Sequence, residues 1–287
     1  MWKTTQHLFK VDSRFRFGLI AMIICLAVIL LSLVNPEDPR KWNAYERDLK
    51  PSLAHILGVS SMGQDIAWRL VDALKNSLLM ALFAALISRI IALTVGLLAG
   101  YKGGALDRVL MSVNDTFIII PLFPILILIA SILKGAVTLP AMGLILGIFG
   151  WAWDARLRSQ ILSLRERPFT YTARVSGMRD VKIIYREHLP FLVPLIMAAT
   201  LNNIIWAIGM EVMLAILGLS SLNSATLGTM IYWAQNYQAI GLGMWNWILP
   251  PVIASVFIIL GLYMFSVSIG QHLDPRTRIS MLGAAKD

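Results

Sequence analysis

The fold of this chain is decided by one stretch of its sequence, Leu74-Lys-Asn-Ser-Leu-Leu-Met-Ala-Leu-Phe-Ala-Ala-Leu-Ile-Ser-Arg-Ile-Ile-Ala-Leu-Thr-Val-Gly-Leu-Leu-Ala-Gly100. Lys75 and Arg89 are its only charged residues, and most of the others are apolar. About 20 apolar residues in a helix suffice to cross the hydrocarbon core of a bilayer. Because lipid offers no partner to backbone N–H and C=O groups, such a stretch must pair them internally, as a helix does. The stretch therefore predicts a membrane-spanning helix.

Five further apolar runs accompany this one. They lie at residues 17–34, 109–133, 139–155, 188–217 and 248–270. The 287-residue chain is 57% hydrophobic and only 14% charged, and its mean hydropathy of +0.72 exceeds the balance expected for a soluble domain. We predict an all-α, polytopic membrane protein with about six transmembrane helices.

The runs divide the chain into two parts. Residues 1–73 hold an N-terminal tail, the first transmembrane helix and an external loop, in which we expect an amphipathic helix. Residues 74–287 hold the other five transmembrane helices and a long cytoplasmic loop at residues 156–187. We expect the second part to be the functional core.

Lys and Arg residues are distributed unevenly between the connections. Of the 25, 17 lie in the N-terminal tail, 101–108, 156–187 and 271–287, whereas six lie in the connections on the other side. Because such residues accumulate on the cytoplasmic side, we predict a plasma or inner membrane protein with both termini in the cytoplasm. The net charge of +9 does not indicate a nucleic-acid partner, since the basic residues sit between apolar runs.

The longest connection on the basic side has its own pattern, Arg165-Glu-Arg-Pro-Phe-Thr-Tyr-Thr-Ala-Arg-Val-Ser-Gly-Met-Arg-Asp-Val-Lys-Ile-Ile-Tyr-Arg-Glu-His-Leu-Pro190. Pro168 can open a short helix, and Gly177 can end it with a positive φ. The apolar side of the next helix is predicted to comprise Val181, Ile184, Tyr185 and Leu189. A short surface helix of this kind can dock into a groove of a partner. The alternative is a basic loop that only orients the chain.

This loop is similar to the loop of inner-membrane permease subunits of ATP-binding-cassette (ABC) importers, of the dipeptide/oligopeptide class. The family pattern is E-A-A-x-x-x-G ending in L-P, and residues 177–190 match it without gaps, while Tyr171 and Thr172 stand where the family has Glu and Ala. Further matches follow in the family's order: His55–Leu70, Gly100–Arg108, Glu211 with Leu217-Gly-Leu219, Leu249-Pro-Pro251 and Leu273-Asp-Pro-Arg276. The resemblance covers nearly the whole chain.

The resemblance implies a type I ABC importer permease fold that forms half of the translocation pathway for a peptide or an oligosaccharide. It also implies four kinds of partner: membrane lipid, a second homologous permease in a heterodimer, two ABC ATPase subunits that bind ATP and Mg, and an extracytoplasmic solute-binding protein. The ATPases would dock on a coupling helix around residues 168–180. The docking residues that the resemblance implies are Phe169, Tyr171, Thr172, Ala173, Arg174, Gly177, Arg179 and Asp180.

Signatures of catalysis or cofactor binding are absent from the sequence. No lysine follows a glycine, so the chain lacks the phosphate-binding Gly-x-x-x-x-Gly-Lys-Ser/Thr loop, and ATP hydrolysis must come from partners. The four histidines lack the spacing of a zinc site, and Glu187-His188 is interpreted as a surface pair. We expect a transport subunit without enzyme activity, metal or cofactor. The alternative is a secondary transporter or channel that is not coupled to ATP, although inverted repeats are not visible.

Two charged residues lie deep within apolar runs. Arg89 and Glu211 occupy positions where an unpaired charge costs about 3 kcal/mol on insertion scales, so each must be partnered or hydrated. Together with Asn202 and Trp206 they are candidates for the translocation path. For Arg89, a structural pair with a neighbouring helix is the alternative.

The external loop at residues 218–247 contains no charged residue but is rich in aromatic and amide side chains. Such side chains can stack on and hydrogen-bond to a neutral solute such as an oligosaccharide. The candidates for contact with the solute or the binding protein are Tyr232, Trp233, Asn236 and Tyr237. The alternative is an aromatic belt at the membrane interface.

Overall fold

A computed structural model describes residues 9, 12–35, 38, 41–133, 137–152 and 156–273. Within these ranges, the apolar runs form helices. In chain order the helices are α1 Ser13–Leu31, α2 Ile66–Lys102, α3 Gly104–Ile119, α4 Leu122–Leu133, α5 Leu139–Gly150, α6 Arg156–Arg165, α7 Pro168–Val175, α8 Asp180–Ile216, α9 Leu227–Asn236 and α10 Trp245–Leu273. Helix α8 includes a π-helical turn at Ile184–His188. No strand occurs in these described ranges, and the predicted all-α fold is confirmed.

Four helical segments within the described ranges are long and apolar enough to cross a membrane. They are Ser13–Val34, Ile66–Lys102, Asp180–Ile216 and Trp245–Gln271. Helices α3 and α4 pass the same test only as a pair, and a bend of 77° separates them. Helix α5 is apolar, but its 12 residues rise only about 18 Å. The multi-pass membrane protein is confirmed, whereas the predicted number of six spans is not.

Helix α2 is central to the fold, and α5, α6 and α8 pack along it. Small residues on α2 and on its neighbours let these helices approach closely. A Cβ atom on Gly147 of α5, for example, would lie 2.8 Å from the backbone oxygen of Ala84. The apolar core around α2 includes the buried side chains of Met80, Leu146, Ile208, Leu214 and Trp247.

The first helix packs against the last. The rings of Phe15 on α1 and Phe265 on α10 lie 5.3 Å apart. The Ser268 hydroxyl of α10 donates a 2.6 Å hydrogen bond to Asp12, which also caps the N-terminus of α1. The start of α1 therefore lies beside the C-terminal part of α10.

The loop between α1 and α2 differs from our expectation. Its described residues from 41 to 65 form turns and one isolated bridge between Val59 and Asp65, and the predicted amphipathic helix is wrong for this stretch. Asp65 instead caps α2, because its side chain accepts a hydrogen bond from the Trp68 N–H. Residues 66–73 form the first turns of a helix that continues into the membrane-spanning stretch.

Two groups of connecting segments lie at opposite ends of α2. Residues 156–179, which we call the hairpin, contain α6, α7 and the turn that follows. Residues 41–65 and 218–247, which we call the cap, meet where the rings of Trp42 and Trp233 lie 5.4 Å apart. Helix α2 begins next to the cap at Ile66 and ends next to the hairpin at Lys102, so the cap and the hairpin form two separate faces of the molecule.

Candidate functional site

The hairpin forms for the reasons that its sequence indicates. Pro168 occupies the first turn of α7, where its missing N–H is not needed. Gly177 follows α7 with φ of 74°, a left-handed conformation that favours glycine. The N–H groups of Gly177 and Met178 donate to the oxygens of Arg174 and Ala173 and so close the helix end. The predicted helix, turn and helix are confirmed.

One face of the hairpin is open to solvent or to a partner. Of the eight predicted docking residues, six are exposed: Tyr171, Thr172, Arg174, Gly177, Arg179 and Asp180. Phe169 is partly buried and stacks on the Phe191 ring at 5.5 Å. Ala173 is buried, because it faces the core beneath α7, so its side chain does not belong to the exposed face.

The opposite face of the hairpin is held against α2. A Cβ atom on Gly100 would lie 2.9 Å from both the Arg158 backbone oxygen and the Ile161 Cβ, so glycine is needed for α6 to approach this closely. Arg158 also forms a two-pronged ion pair with Asp107 on α3, and this hydrogen-bonded carboxylate raises the pKa of Arg158. Arg165 donates to the Tyr101 backbone oxygen at 3.1 Å.

The start of α8 departs from the predicted apolar side. Val181 and Tyr185 are 65% and 63% exposed, while Ile183 and His188 are fully buried. The π-helical turn widens this part of the helix by one residue per turn, which changes the side chains that face inward. The interpretation of Glu187-His188 as a surface pair is wrong for His188, whose Nε2 lies 2.8 Å from the Thr170 hydroxyl.

Arg89 and Glu211, the two charged residues predicted to lie deep within apolar runs, are enclosed by the chain itself. The Nε of Arg89 on α2 donates to the Thr200 hydroxyl of α8 at 3.2 Å, so Arg89 joins two helices. Glu211 on α8 is fully buried and accepts hydrogen bonds from the hydroxyls of Ser220 and Thr226 at 3.0 and 2.6 Å. These contacts give both residues a role between helices.

The hydrogen bond between Thr226 and Glu211 is significant for the fold, because Thr226 is the N-cap residue of α9. The Glu211 side chain therefore lies at the N-terminus of α9, where acceptor oxygens are favoured. Its Oε2 lies next to Gly228, at which a Cβ atom would be 3.1 Å away. Glu211 thus joins the end of α8 to the start of α9 within the cap.

The other two path candidates differ in exposure. Asn202 is exposed on α8, and its side-chain oxygen accepts a 3.4 Å hydrogen bond from the Ser266 hydroxyl of α10. Trp206 is partly buried and packs beside Gly150 of α5. Asn202 is thus the one exposed residue among the four predicted path residues.

The predicted contact residues of the cap lie together. Trp233 is close to the rings of Tyr232 and Tyr237, at 5.1 and 6.3 Å, and its Nε1 donates to the Leu222 oxygen at 3.2 Å. Asn236 is exposed, although its amide donates to the Tyr232 backbone oxygen within the same helix. The structure therefore brings the four residues into one aromatic and amide cluster.

Metal ligands do not gather in the described ranges, where no group of three or more His, Cys, Asp or Glu residues could hold an ion. The described contacts of the hairpin and the cap include hydrogen bonds, ion pairs and ring packing.

Comparison with known proteins identifies the family. The model of the family described as "Binding-protein-dependent transport system inner membrane component" matches residues 92–279. The chain is 28% identical to the oligopeptide transport system permease protein OppC of Lactococcus lactis subsp. cremoris, over 91% of each chain. It is 30% identical to the nickel transport system permease protein NikC of Escherichia coli K12, over 93% of this chain and 96% of the relative.

A solved structure shares the fold. A chain from the inward-facing MetNI methionine ABC transporter aligns with a TM-score of 0.56 and 21% identity, over 72% of this chain and 97% of that chain. The predicted type I ABC importer permease fold is thereby confirmed, as is the predicted resemblance to the dipeptide/oligopeptide class. The chain belongs to the family of binding-protein-dependent transport system inner membrane components, and it is an ABC importer permease.

Proposed function

We propose that this permease forms half of a solute pathway and is moved by ATPase subunits that dock on the hairpin. The observation that carries the proposal is the two-sided nature of the hairpin. Tyr171, Thr172, Arg174 and Arg179 are exposed on one side, while Gly100 and the Arg158–Asp107 pair fix the other side to the spans. A rigid element with an exposed face is what transmission of force between subunits requires.

The proposed assembly contains a second, related permease in a heterodimer, two ABC ATPases that bind ATP and Mg, and an extracytoplasmic solute-binding protein. The Lys and Arg bias puts the hairpin in the cytoplasm and the cap outside. Both termini are then cytoplasmic, which agrees with the position of Asp12 beside Ser268 at the end of the molecule remote from the cap. The exposed Asn202 of α8 is proposed to face the path, and the more buried Trp206, Arg89 and Glu211 are proposed to support it.

The proposed cargo is a peptide or an oligosaccharide. Relatives of the chain are named for oligopeptide, dipeptide and nickel transport. The 218–247 part of the cap has no charged residue and exposes Asn236 next to Tyr232, Trp233 and Tyr237. This composition favours an uncharged surface of the solute or of its binding protein, because ring faces and amides contribute stacking and hydrogen bonds.

Reconstitution into proteoliposomes tests the proposal. The complete assembly, supplied with ATP, is expected to accumulate a labelled mixture of four- to six-residue peptides or labelled cellotriose. Uptake of Ni²⁺ alone, the cargo named for one relative, would contradict the proposed cargo. The isolated chain is expected to accumulate none of them, since it supplies no energy. Uphill uptake by the isolated chain would contradict the proposal.

A further inference from the structure

Tyr101 lies where the last turn of α2, the hairpin and the start of α8 meet. Its side chain is only 4% exposed. The hydroxyl donates a 2.8 Å hydrogen bond to the carboxylate of Asp180, the first residue of α8. The Arg174 guanidinium of α7 lies 3.5 Å from the same hydroxyl and 5.8 Å from the ring centroid. One side chain therefore contacts three elements.

A second contact, next to the Tyr101 ring, connects α7 to α8. The His188 ring lies 5.8 Å from the Tyr101 ring, and its Nε2 is 2.8 Å from the Thr170 hydroxyl of α7. Because that hydroxyl donates to the Leu164 oxygen at 2.8 Å, His188 donates to it through Nε2–H. The π-helical turn that ends at His188 directs this ring inward, and π-helical turns frequently mark functional positions.

These hydrogen bonds are directional, and they supplement an apolar cluster that does not by itself fix how the helices are oriented. Ala173, Ile161, Ile183 and Leu192 pack around Tyr101, but apolar contact alone permits neighbouring helices to slide. The Tyr101–Asp180 hydrogen bond joins α2 to α8, and the contacts of α7 with His188 and with the Tyr101 hydroxyl fix the angle and height of α7 against both helices. A force on the exposed face of α7 is then passed to both spans together.

We propose that Tyr101 is the positioning residue of a joint, formed with Arg174, Asp180, His188 and Thr170, that makes the hairpin move as one body with α2 and α8. The inference rests on the proposed function, in which ATPases supply the force. The inference has a specific consequence. Without the Tyr101 hydroxyl, ATP-driven movement displaces the hairpin relative to α2 and α8, and these two helices do not follow it.

Spin-label distances in the complete assembly test the joint. Cys25, the one cysteine of the sequence, is replaced by serine, and exposed positions Val175, Leu98 and Met197 receive labels in the pairs 175/98 and 175/197. In the otherwise natural chain, both distances are expected to stay constant between the nucleotide-free state and the state trapped with ATP and vanadate. In Tyr101→Phe, trapping is expected to shift them by about 1–2 Å, the scale of helix shifts at interfaces, and to broaden their distributions.

The mobility of the Val175 label separates this inference from the proposed function. If ATPase subunits do not restrict the label in the natural chain, docking on the hairpin is wrong. If they restrict it, but distances in Tyr101→Phe remain constant on trapping, the joint is wrong. Tyr263→Phe, on an exposed position of α10, is the matched control and is expected to behave as the natural chain.

A second variant covers the case in which Tyr101→Phe does not assemble. Thr170→Val keeps the side-chain shape but removes the hydroxyl between His188 and Leu164. It is expected to produce shifts in the same two distances. Constant distances in an assembled Thr170→Val complex would overturn the inference.

Discussion

The cap and the hairpin both contain polar residues, but they use them differently. In the cap, the hydroxyls of Ser220 and Thr226 donate to the fully buried carboxyl group of Glu211 on α8 and so join α8 to α9. On the hairpin, Arg174 and Arg179 are exposed. Because a buried polar group is costly unless its partners are present, cap residues are expected to determine stability, and exposed hairpin residues to determine partner binding.

The largest effect on stability is expected at Glu211. In Glu211→Ala, the hydroxyls of Ser220 and Thr226 lose their acceptor and a cavity remains, so we expect a loss of about 2–5 kcal/mol of stability. Thermal unfolding of the detergent-solubilised chain measures it. Glu211→Gln retains one acceptor oxygen and is expected to lose less. Equal melting temperatures for Glu211→Ala and the natural chain would show that the buried polar contacts at the cap do not determine stability.

The contact between α2 and the hairpin is next in size. In Gly100→Ala, the added methyl group meets the Arg158 oxygen and the Ile161 Cβ, and we expect a loss of about 1–3 kcal/mol. Gly270→Ala is the matched control, because no atom lies within 4 Å of a Cβ there and alanine favours the helix. If the two variants melt alike, the packing of α6 on α2 is looser than described.

A smaller effect is expected for the ion pair between α3 and α6. The side chains of Asp107 and Arg158 are 15% and 31% exposed, so solvent screens the pair and we expect a coupling of about 1 kcal/mol or less. A double-mutant cycle with Asp107→Asn and Arg158→Gln measures it. The coupling should fall as salt rises. Additive effects of the two substitutions would show that the pair is not formed.

The smallest effect on stability is expected at the exposed hairpin face. The Tyr171 side chain is 71% exposed, so Tyr171→Ala should change stability by no more than about 0.5 kcal/mol. Exposed tyrosines often anchor interfaces, and we expect ATPase affinity to fall about tenfold. Surface plasmon resonance with the solubilised permease pair measures this. Tyr263→Ala on α10 controls for the loss of any exposed ring, and equal affinities would place docking elsewhere.

Much of the fold could be predicted because lipid imposes a simple rule. Apolar runs of sufficient length must be helical, and the runs beginning near Phe17, Leu74 and Leu189 form long helices. Pro168 and Gly177 act locally, so the hairpin could also be predicted. The bend between α3 and α4 and the shortness of α5 depend on packing and on loop geometry, so apolar runs alone do not determine the number of spans.

The contacts that join the hairpin to the spans could not be predicted. The π-helical turn changes the periodicity of α8. A 3.6-residue pattern predicts that Val181 and Tyr185 face inward, whereas Ile183 and His188 are the residues that do so. Tyr101 meets Asp180 across 79 positions of sequence, and no local pattern connects them. The motif Gly100-Tyr-Lys-Gly-Gly104 was the available signal, but it does not name the partners.

The central claim is that movement enters through the hairpin, and Gly177→Pro tests it most directly. Proline cannot adopt the φ of 74° and lacks the N–H that donates to Arg174, so the turn after α7 cannot form. In the complete assembly with its solute-binding protein, we predict that the variant inserts into the membrane but that stimulation of ATP hydrolysis is lost. Normal assembly with undiminished stimulation would contradict the account.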